Sequence, residues 1–163
     1  MTRIINTIKL NKKITYLQKL KSLNKESGLI FNSLDNILND FIGHKLFTIL
    51  KFDKINSNLE RVYTSKPREY PLQGKKDVIR NFWQVQVLEM GVVYIGYNSQ
   101  DIKNSFADFD LIEKLGCRSF MIIPVKSGDN IMGSVNLLHE ESWYSDNDVK
   151  IAQNLVSIIS GVL

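Results

Sequence analysis

The stretch LGCRSFMIIPVKSGDNIMGSVNLLHE, residues 115–140, decides the fold. Residues 119–125 and 131–138 are rich in apolar and β-branched side chains, and a polar turn that contains Gly128 separates them. This arrangement predicts a β-hairpin. The first segment is apolar at nearly every position, which is typical of a strand covered on both faces, and Pro124 limits ladder pairing near its end. We therefore expect a sheet with a packed layer on each side.

A second hairpin is expected upstream, because residues 46–52 and 59–65 have the composition of strands and flank the polar turn 53–58. Pro67 and Pro71 mark residues 66–74 as a loop. The remaining predicted elements are a helix at 77–90, a short strand at 92–96, an irregular segment at 98–108 and a short helix at 109–115.

Two longer helices have clear sequence signals. Apolar residues that begin at Ile30 recur at offsets of four, seven, eight and eleven, which places them on one helical face, and Gly43 ends this helix. Ser145 is a good N-cap and Asp148 lies three residues further on, so the last helix should begin here and run almost to Leu163. We expect an α+β fold in which the helices near both chain ends pack on one face of an antiparallel sheet.

Composition indicates one globular domain. With 163 residues and 44% hydrophobic content, the chain can bury a substantial core. No apolar run approaches the roughly 18 residues of a membrane-spanning helix, and the N-terminus lacks the apolar core of a signal peptide. The single cysteine, Cys117, cannot form an internal disulfide, which fits a reducing compartment. We expect a cytoplasmic protein without membrane partners.

The net charge of +4 is concentrated at the N-terminus. Residues 1–26 hold seven basic groups and one acid, a balance of +6, and the rest of the chain holds 14 basic and 16 acidic groups, a balance of −2. The main body therefore gives no electrostatic case for binding a phosphate backbone, and a nucleic-acid partner is disfavoured.

Residues 1–26 are predicted to form a basic amphipathic helix that precedes a domain of residues 27–163. Packing on the sheet or pairing with a second copy is the favoured role of such a helix. The minor alternatives are that the lysines of this helix bind a membrane surface or a nucleic acid. The apolar residues at roughly helical spacing are Ile4, Ile5, Ile8, Ile14, Leu17 and Leu20.

Together these patterns resemble the GAF domain, a small-molecule-sensing α/β module, over residues 29–163. The matching strings are LFTILKFD at 46–53, GCRSFMIIPV at 116–125 and GSVNLLH at 133–139, and the loop RVYTSKPREYP at 61–71 looks like a feature of small bacterial GAF proteins. The resemblance implies a GAF-like antiparallel sheet with N- and C-terminal helices packed on one face and short helices and loops over the other. It also implies a homodimer built through the terminal helices.

The resemblance further implies a site for an unidentified small organic ligand, with no resident cofactor. In GAF domains the ligand lies on one sheet face, under the segments that correspond here to residues 77–90 and 97–115. The implied ligand-binding residues are Phe82, Trp83, Asn98, Phe106, Phe109 and Asp110 from these segments, and Tyr94, Met121 and Ile123 from the sheet.

Several chemistries of this family are disfavoured by the residues present. Free methionine sulfoxide reductases of this fold use a resolving cysteine, which Cys117 lacks within the chain. Bilin-binding members attach their pigment to a cysteine that usually stands beside histidine, and Cys117 has no histidine neighbour. The cyclic-nucleotide signature N-K, F, D-E is matched only by Asn98, Phe106 and Asp110, without its lysine and glutamate.

No enzymatic site is predicted, because His44 and His139 lie in no metal-ligand spacing and no nucleophile elbow, phosphate loop or dinucleotide fingerprint occurs. The favoured hypothesis is a non-catalytic sensor domain with a lidded ligand cavity. A structural dimerisation module with a closed cavity is the alternative, and a reductase or hydrolase that uses Cys117 or His139 is less favoured. The dimerisation hypothesis places these residues near the interface: Ile14, Leu17, Leu155 and Ile158.

Overall fold

The computed structural model describes residues 3–163 and contains one six-stranded antiparallel sheet. The strand order is β3-β2-β1-β6-β5-β4, so the two predicted hairpins, β1–β2 and β5–β6, are confirmed and meet where β1 pairs with β6. The strands are β1 Leu46–Asp53, β2 Asn58–Thr64, β3 Lys75–Asp77, β4 Tyr94–Gly96, β5 Ser119–Ser127 and β6 Asn130–His139.

Helices cover both faces of this sheet. Helices α1, α2 and α6 share a core with one face, and α3, a π-helical turn, α4 and α5 share a core with the other, so the expected α+β fold is confirmed. We call the second group the lid. None of the helices in residues 3–163 has the length and apolar character needed to cross a bilayer. The helices are α1 Thr7–Ser22, α2 Ser27–Phe41, α3 Phe82–Gln84, α4 Ser99–Ser105, α5 Phe109–Lys114 and α6 Asp146–Ile158, with the π-helical turn at Val85–Glu89.

Strand β5 explains the two layers, because residues 119–125 are all buried. Phe120 and Ile122 contact the core of the lid, whereas Met121 and Ile123 contact the core of the terminal helices. Side chains alternate between the two faces of a strand. The apolar side chains of β5 are therefore shielded from water only when a packed layer covers each face.

The start of α6 is fixed by the predicted cap. The Asp148 carboxylate accepts a hydrogen bond from the Ser145 backbone N–H at 2.9 Å, and the Ser145 hydroxyl accepts one from the Asp148 N–H. Arg3 donates a hydrogen bond to the same carboxylate at 2.6 Å. Because Asp148 is only 2% exposed, this positive charge offsets the cost of burying its negative charge. The cap therefore ties the N-terminal residues to α6, which ends at Ile158, short of the end expected near residue 163.

Helix α1 forms within the predicted basic segment 1–26, whose first two residues lie outside the described part of the chain. The Asn6 side chain caps the helix by accepting a hydrogen bond from the Lys9 N–H at 3.0 Å. The inner side of α1 packs on the core of the single chain. Three residues expected near a dimer interface are instead buried in this core: Leu17, Leu155 and Ile158.

Two short elements differ from expectation. Residues 75–77 form the edge strand β3, and the helix expected from residue 77 begins only at Phe82, where Asn81 caps it. Helix α4 forms within a segment expected to be irregular. Elements of three to seven residues contain too few positions for a hydrophobic period to show, so the sequence does not reveal them.

Gly133 on β6 should not tolerate a side chain. A Cβ there would overlap the carbonyl oxygen of Leu50 on β1, a backbone atom that cannot swing aside. We expect Gly133→Ala to lower the free energy of unfolding, measured by urea denaturation, by about 2–3 kcal/mol.

The matched control for this substitution is Gly28→Ala in α2, where nothing lies within 4 Å of an added Cβ. Alanine there should raise the free energy of unfolding by about 0.5–1 kcal/mol, because it favours the helix. Equal stabilities of the two variants would contradict the close approach of β1 and β6 at Gly133.

Candidate functional site

Aromatic side chains fill much of the space between the sheet and the lid. The centroid of the Phe106 ring lies 5.0 Å from that of Phe120 on β5 and 6.3 Å from that of Trp83 on α3. Trp83 Nε1 donates a hydrogen bond to the carbonyl oxygen of Ser105 at 3.0 Å, which ties α3 to the end of α4. The Tyr94 ring extends this cluster, 5.5 Å from Phe120. These rings hold the lid on the sheet.

The structure brings part of the predicted ligand-binding set together. Trp83 and Phe106 belong to one buried cluster under the lid, and the partly buried Tyr94 packs against it. Phe82 packs edge-on against Tyr94 at the margin, with 73% of its surface exposed, and Phe109 is half-buried against the same cluster. These five residues share one region, and their contact with a ligand stays a prediction.

The predicted polar contacts Asn98 and Asp110 lie on the outside of the lid. Asn98 is exposed and caps α4 by accepting a hydrogen bond from the Asp101 N–H at 3.0 Å. Asp110 is exposed in the first turn of α5, where a carboxylate interacts favourably with the helix N-terminus. Both side chains lie at helix ends on the exposed side of the lid.

The placement of Met121 and Ile123 under the lid is wrong. Both side chains are buried in the core of the terminal helices, and the β5 residues that face the lid are Phe120 and Ile122. Tyr94 pairs with Ile122 across the β4–β5 ladder. A strand that is apolar on both faces has no polar alternation to show which residues point to which side, so the sequence does not distinguish the two sets.

A small cavity of about 20 Å³ lies between the sheet and the lid, next to Phe106. It has room for about one or two water molecules. Thr48 of β1 and Asn136 of β6 are among its lining residues. A wider cleft of about 410 Å³ adjoins it on the side of β3. The residues that line both spaces, which we call the boundary residues, are Arg61, Lys76, Phe106 and Asp108.

Arg61 is held in place at this boundary by its neighbours. The Tyr70 hydroxyl donates a hydrogen bond to Asp108 Oδ2 at 2.6 Å, and the guanidinium carbon of Arg61 lies 4.9 Å from the centroid of the Tyr70 ring. Arg61 Nη1 donates to the carbonyl oxygen of Pro71 at 2.9 Å. Arg61 Nε is buried and has no hydrogen-bond partner among the described residues. These contacts fix the position of the Arg61 guanidinium and leave its Nε–H without an acceptor among the described residues.

Lys76 brings a second positive charge to the boundary. Its Nζ lies 5.8 Å from the centroid of the Phe106 ring. Burial lowers the pKa of Lys76, Asp108 opposes this shift, and Arg61 adds to it. Burial and the hydrogen bond to Asp108 raise the pKa of Tyr70, so its hydroxyl keeps the proton that it donates. Within residues 3–163, neither Arg61 nor Lys76 forms an ion pair at 4.0 Å or less.

Sequence reasoning missed this polar cluster of Arg61, Tyr70, Lys76 and Asp108. The four residues come from β2, the following loop, β3 and the N-cap position of α5, and only the fold brings them together. The family-like string at 61–71 contains Arg61 and Tyr70 and was the one available signal. Asp108 has the pattern of a solvated helix face, and no spacing singles out Lys76.

Cys117 and His139 are the two residues that the less favoured enzymatic hypothesis uses. Cys117 is fully buried, and burial raises the pKa of its thiol to about 11, so the thiol is protonated at neutral pH. The His139 ring stacks on the Trp143 ring, with 3.5 Å between the ring centroids. Its Nδ1 accepts a hydrogen bond from the Glu140 N–H at 2.7 Å. Burial lowers the pKa of His139 to about 4. In the part of the chain that the structure describes, no three His, Cys, Asp or Glu side chains form a metal-binding group.

The fold and the site define a one-sheet α+β domain with a lidded cavity on one face. A family model for the GAF domain matches residues 73–163. The GAF domain of an Acinetobacter phosphoenolpyruvate-protein phosphotransferase is similar in structure, with 12% identity, a TM-score of 0.73 and coverage of 98% of this chain and 93% of that one. The phycocyanobilin-bound GAF domain of a cyanobacterial phytochrome has 12% identity, a TM-score of 0.73 and coverage of 97% and 93%.

Residues 122 to 287 of a methyl-accepting chemotaxis protein are also similar, with 18% identity, a TM-score of 0.67 and coverage of 92% of this chain and 93% of that one. The chain belongs to the GAF domain family. GAF domains are small-molecule-binding modules with sensory and regulatory roles. No curated protein matches the sequence. At these identities the solved structures establish the fold and do not identify a ligand.

Proposed function

We propose that this chain is a non-catalytic regulatory domain that binds a small organic molecule between its sheet and its lid and forms a homodimer. The binding role is supported by the junction of the cavity and the cleft, where apolar walls and convergent polar groups meet. Thr48 and Asn136 offer neutral hydrogen-bonding groups on the sheet side, and Leu50 and Phe106 offer apolar contacts.

A ligand that reaches the sheet has to displace the lid, because the cavity next to Phe106 is only about 20 Å³. The helices of the lid have three to seven residues. Isolated helices of that length are not stable in water, so their positions depend on packing against the sheet. A ligand that binds the open arrangement more tightly shifts the lid toward it, and the lid thereby reports occupancy.

The small volume of the cavity also favours a second candidate, a structural domain whose ligand space is closed. In this candidate, Trp83, Phe106 and Phe120 are simply core residues that join the lid to the sheet. The two candidates differ in one observable, which is whether any small molecule stabilises the domain through the cleft.

The state of Cys117 supports the non-catalytic part of the proposal. A reductase of the thiol type needs an accessible thiolate and a resolving thiol. Cys117 is 0% exposed, its pKa is raised to about 11, and it is the only cysteine of the sequence. A free, buried thiol also fits a reducing compartment, so a cytoplasmic location is part of the proposal.

The outer face of α1 supports the homodimer. Ile8 and Tyr16 lie on the outer side of α1, and Leu23 is the C-cap residue that follows the helix. Their exposed fractions are 72%, 50% and 56%, and Ile4 just before the helix is also fully exposed. This face points away from Leu17, which is buried in the core. A second copy of the chain would remove the apolar stripe from water.

A screen of small organic molecules by thermal unfolding tests the binding role. A ligand at a hundred times its Kd should raise the free energy of unfolding by about 2.7 kcal/mol, or about 5–10 °C in Tm for a domain of this size. Ala107→Trp places a large side chain in the cleft and should abolish the shift. Asn104→Trp, on the exposed surface of α4, is the matched control and should preserve it.

The stabilising compound should be recovered unchanged after incubation with the protein. Chemical turnover of the compound would contradict the non-catalytic role. If no compound raises the Tm, or if Ala107→Trp and Asn104→Trp behave alike, the structural candidate replaces the binding role.

Light scattering of the purified chain tests the homodimer. We expect a dimer mass that Ile8→Glu reduces to a monomer, because the substitution places a charge on the apolar face of α1. Ile55→Glu is the matched control, since Ile55 is 95% exposed in the β1–β2 turn. A monomer mass for the unmodified chain, or dissociation by both substitutions, would exclude this interface.

A further inference from the structure

Resting on the proposed function, we infer that the bound molecule is an organic anion whose carboxylate or phosphate group is held by Arg61 and Lys76 between the cavity and the cleft. Both residues line the two spaces, so a charged group at this point contacts them while the rest of the ligand extends to either side.

The boundary residues carry more positive than negative charge. Arg61 and Lys76 are partly buried, and Asp108 is the only carboxylate that lines both spaces with them. Asp108 Oδ2 accepts a hydrogen bond from the Tyr70 hydroxyl at 2.6 Å. Asp77 lines the cleft but not the cavity. Asp108 attracts both cations and keeps its charge when it accepts the hydrogen bond from Tyr70, so the three groups together carry one net positive charge in a partly buried place. An anion that contacts both cations would balance that charge.

Arg61 is preorganised for this role. Its stacking on Tyr70 and its hydrogen bond to Pro71 hold the guanidinium before any ligand arrives, so binding costs little side-chain entropy. The buried Nε donor has no partner within residues 3–163, and leaving such a donor unsatisfied costs free energy. An oxygen atom of a carboxylate or phosphate would accept this hydrogen bond with charge assistance.

The walls beyond the boundary indicate that the anion is organic. Thr48 and Asn136 face each other across the β1–β6 ladder and both line the cavity, beside the apolar side chain of Leu50. The cleft of about 410 Å³ adds further room outside, against Trp83. An inorganic ion would use none of these groups, whereas an organic body attached to the anionic group would contact them.

Titration with acetate, inorganic phosphate and acetamide tests the inference, with the ¹⁵N–¹H resonance of Arg61 Nε–H as the readout. These probes are small enough to reach the boundary without an organic body. At constant ionic strength, kept with sodium chloride, we expect a saturable shift with acetate or phosphate and none with neutral acetamide. The tighter-binding anion then tells a carboxylate ligand from a phosphate ligand.

Arg80 is the internal control, because its Nε–H donates to Glu89 at 2.7 Å on the surface and lies outside the boundary. Its resonance should show no saturable shift with any probe. A response of Arg61 that only matches the response of Arg80, or that is as large with acetamide as with the anions, overturns the inference.

Lys76→Met should raise the Kd of the bound anion about tenfold, since a charge-assisted contact is lost. Lys51→Met, at an exposed lysine of β1 outside the boundary, is the matched control and should leave the Kd unchanged. Lys76→Met removes a partly buried charge that forms no ion pair within residues 3–163, so its Tm in the absence of anions should equal or exceed that of the unmodified chain. An unchanged Kd in Lys76→Met overturns the role of Lys76.

The failure of this inference is distinguishable from the failure of the proposed function. A neutral compound that raises the Tm and is blocked by Ala107→Trp, together with an unresponsive Arg61, would leave the binding role in place and remove the anion. If no compound raises the Tm and Arg61 does not respond, neither the binding role nor the anion stands.

Discussion

The whole structure depends on one strand that has no polar face. Residues 119–125 of β5 are buried throughout, so the hydrophobic effect requires water to be excluded from both sides of the sheet. Helices α1, α2 and α6 cover one side, and the lid covers the other. A chain of 163 residues therefore folds as two packed layers that share one central sheet.

The two layers differ in the length of their helices. Helices α2 and α6 have 15 and 13 residues and bury continuous apolar stripes, whereas α4 and α5 have seven and six. The cavity, the cleft and the cations Arg61 and Lys76 all lie on the side of the shorter helices. The longer helices support the sheet, and under the proposed function the lid, with its short helices, is the layer that a ligand moves.

Local signals made the framework predictable. Turn residues between apolar runs indicated both hairpins, and the pair Ser145 and Asp148 indicated the start of α6, because hairpins and caps are set by neighbours in sequence. The prediction that Met121 and Ile123 face the lid from the sheet was wrong, since a strand that is apolar on both faces shows no alternation in its sequence. Phe106 was the one boundary residue in the predicted ligand-binding set. Arg61 and Lys76 were not predictable, because they belong to different strands and meet only after the sheet forms.

Native-state hydrogen exchange measures most directly whether the lid is less stable than the sheet and the terminal helices. The amides of α4 and α5 should exchange through local openings with free energies well below the global value that β5 and α6 report. A lid whose amides exchange only with global unfolding, at the same free energy as β5 and α6, would contradict this lower stability of the lid.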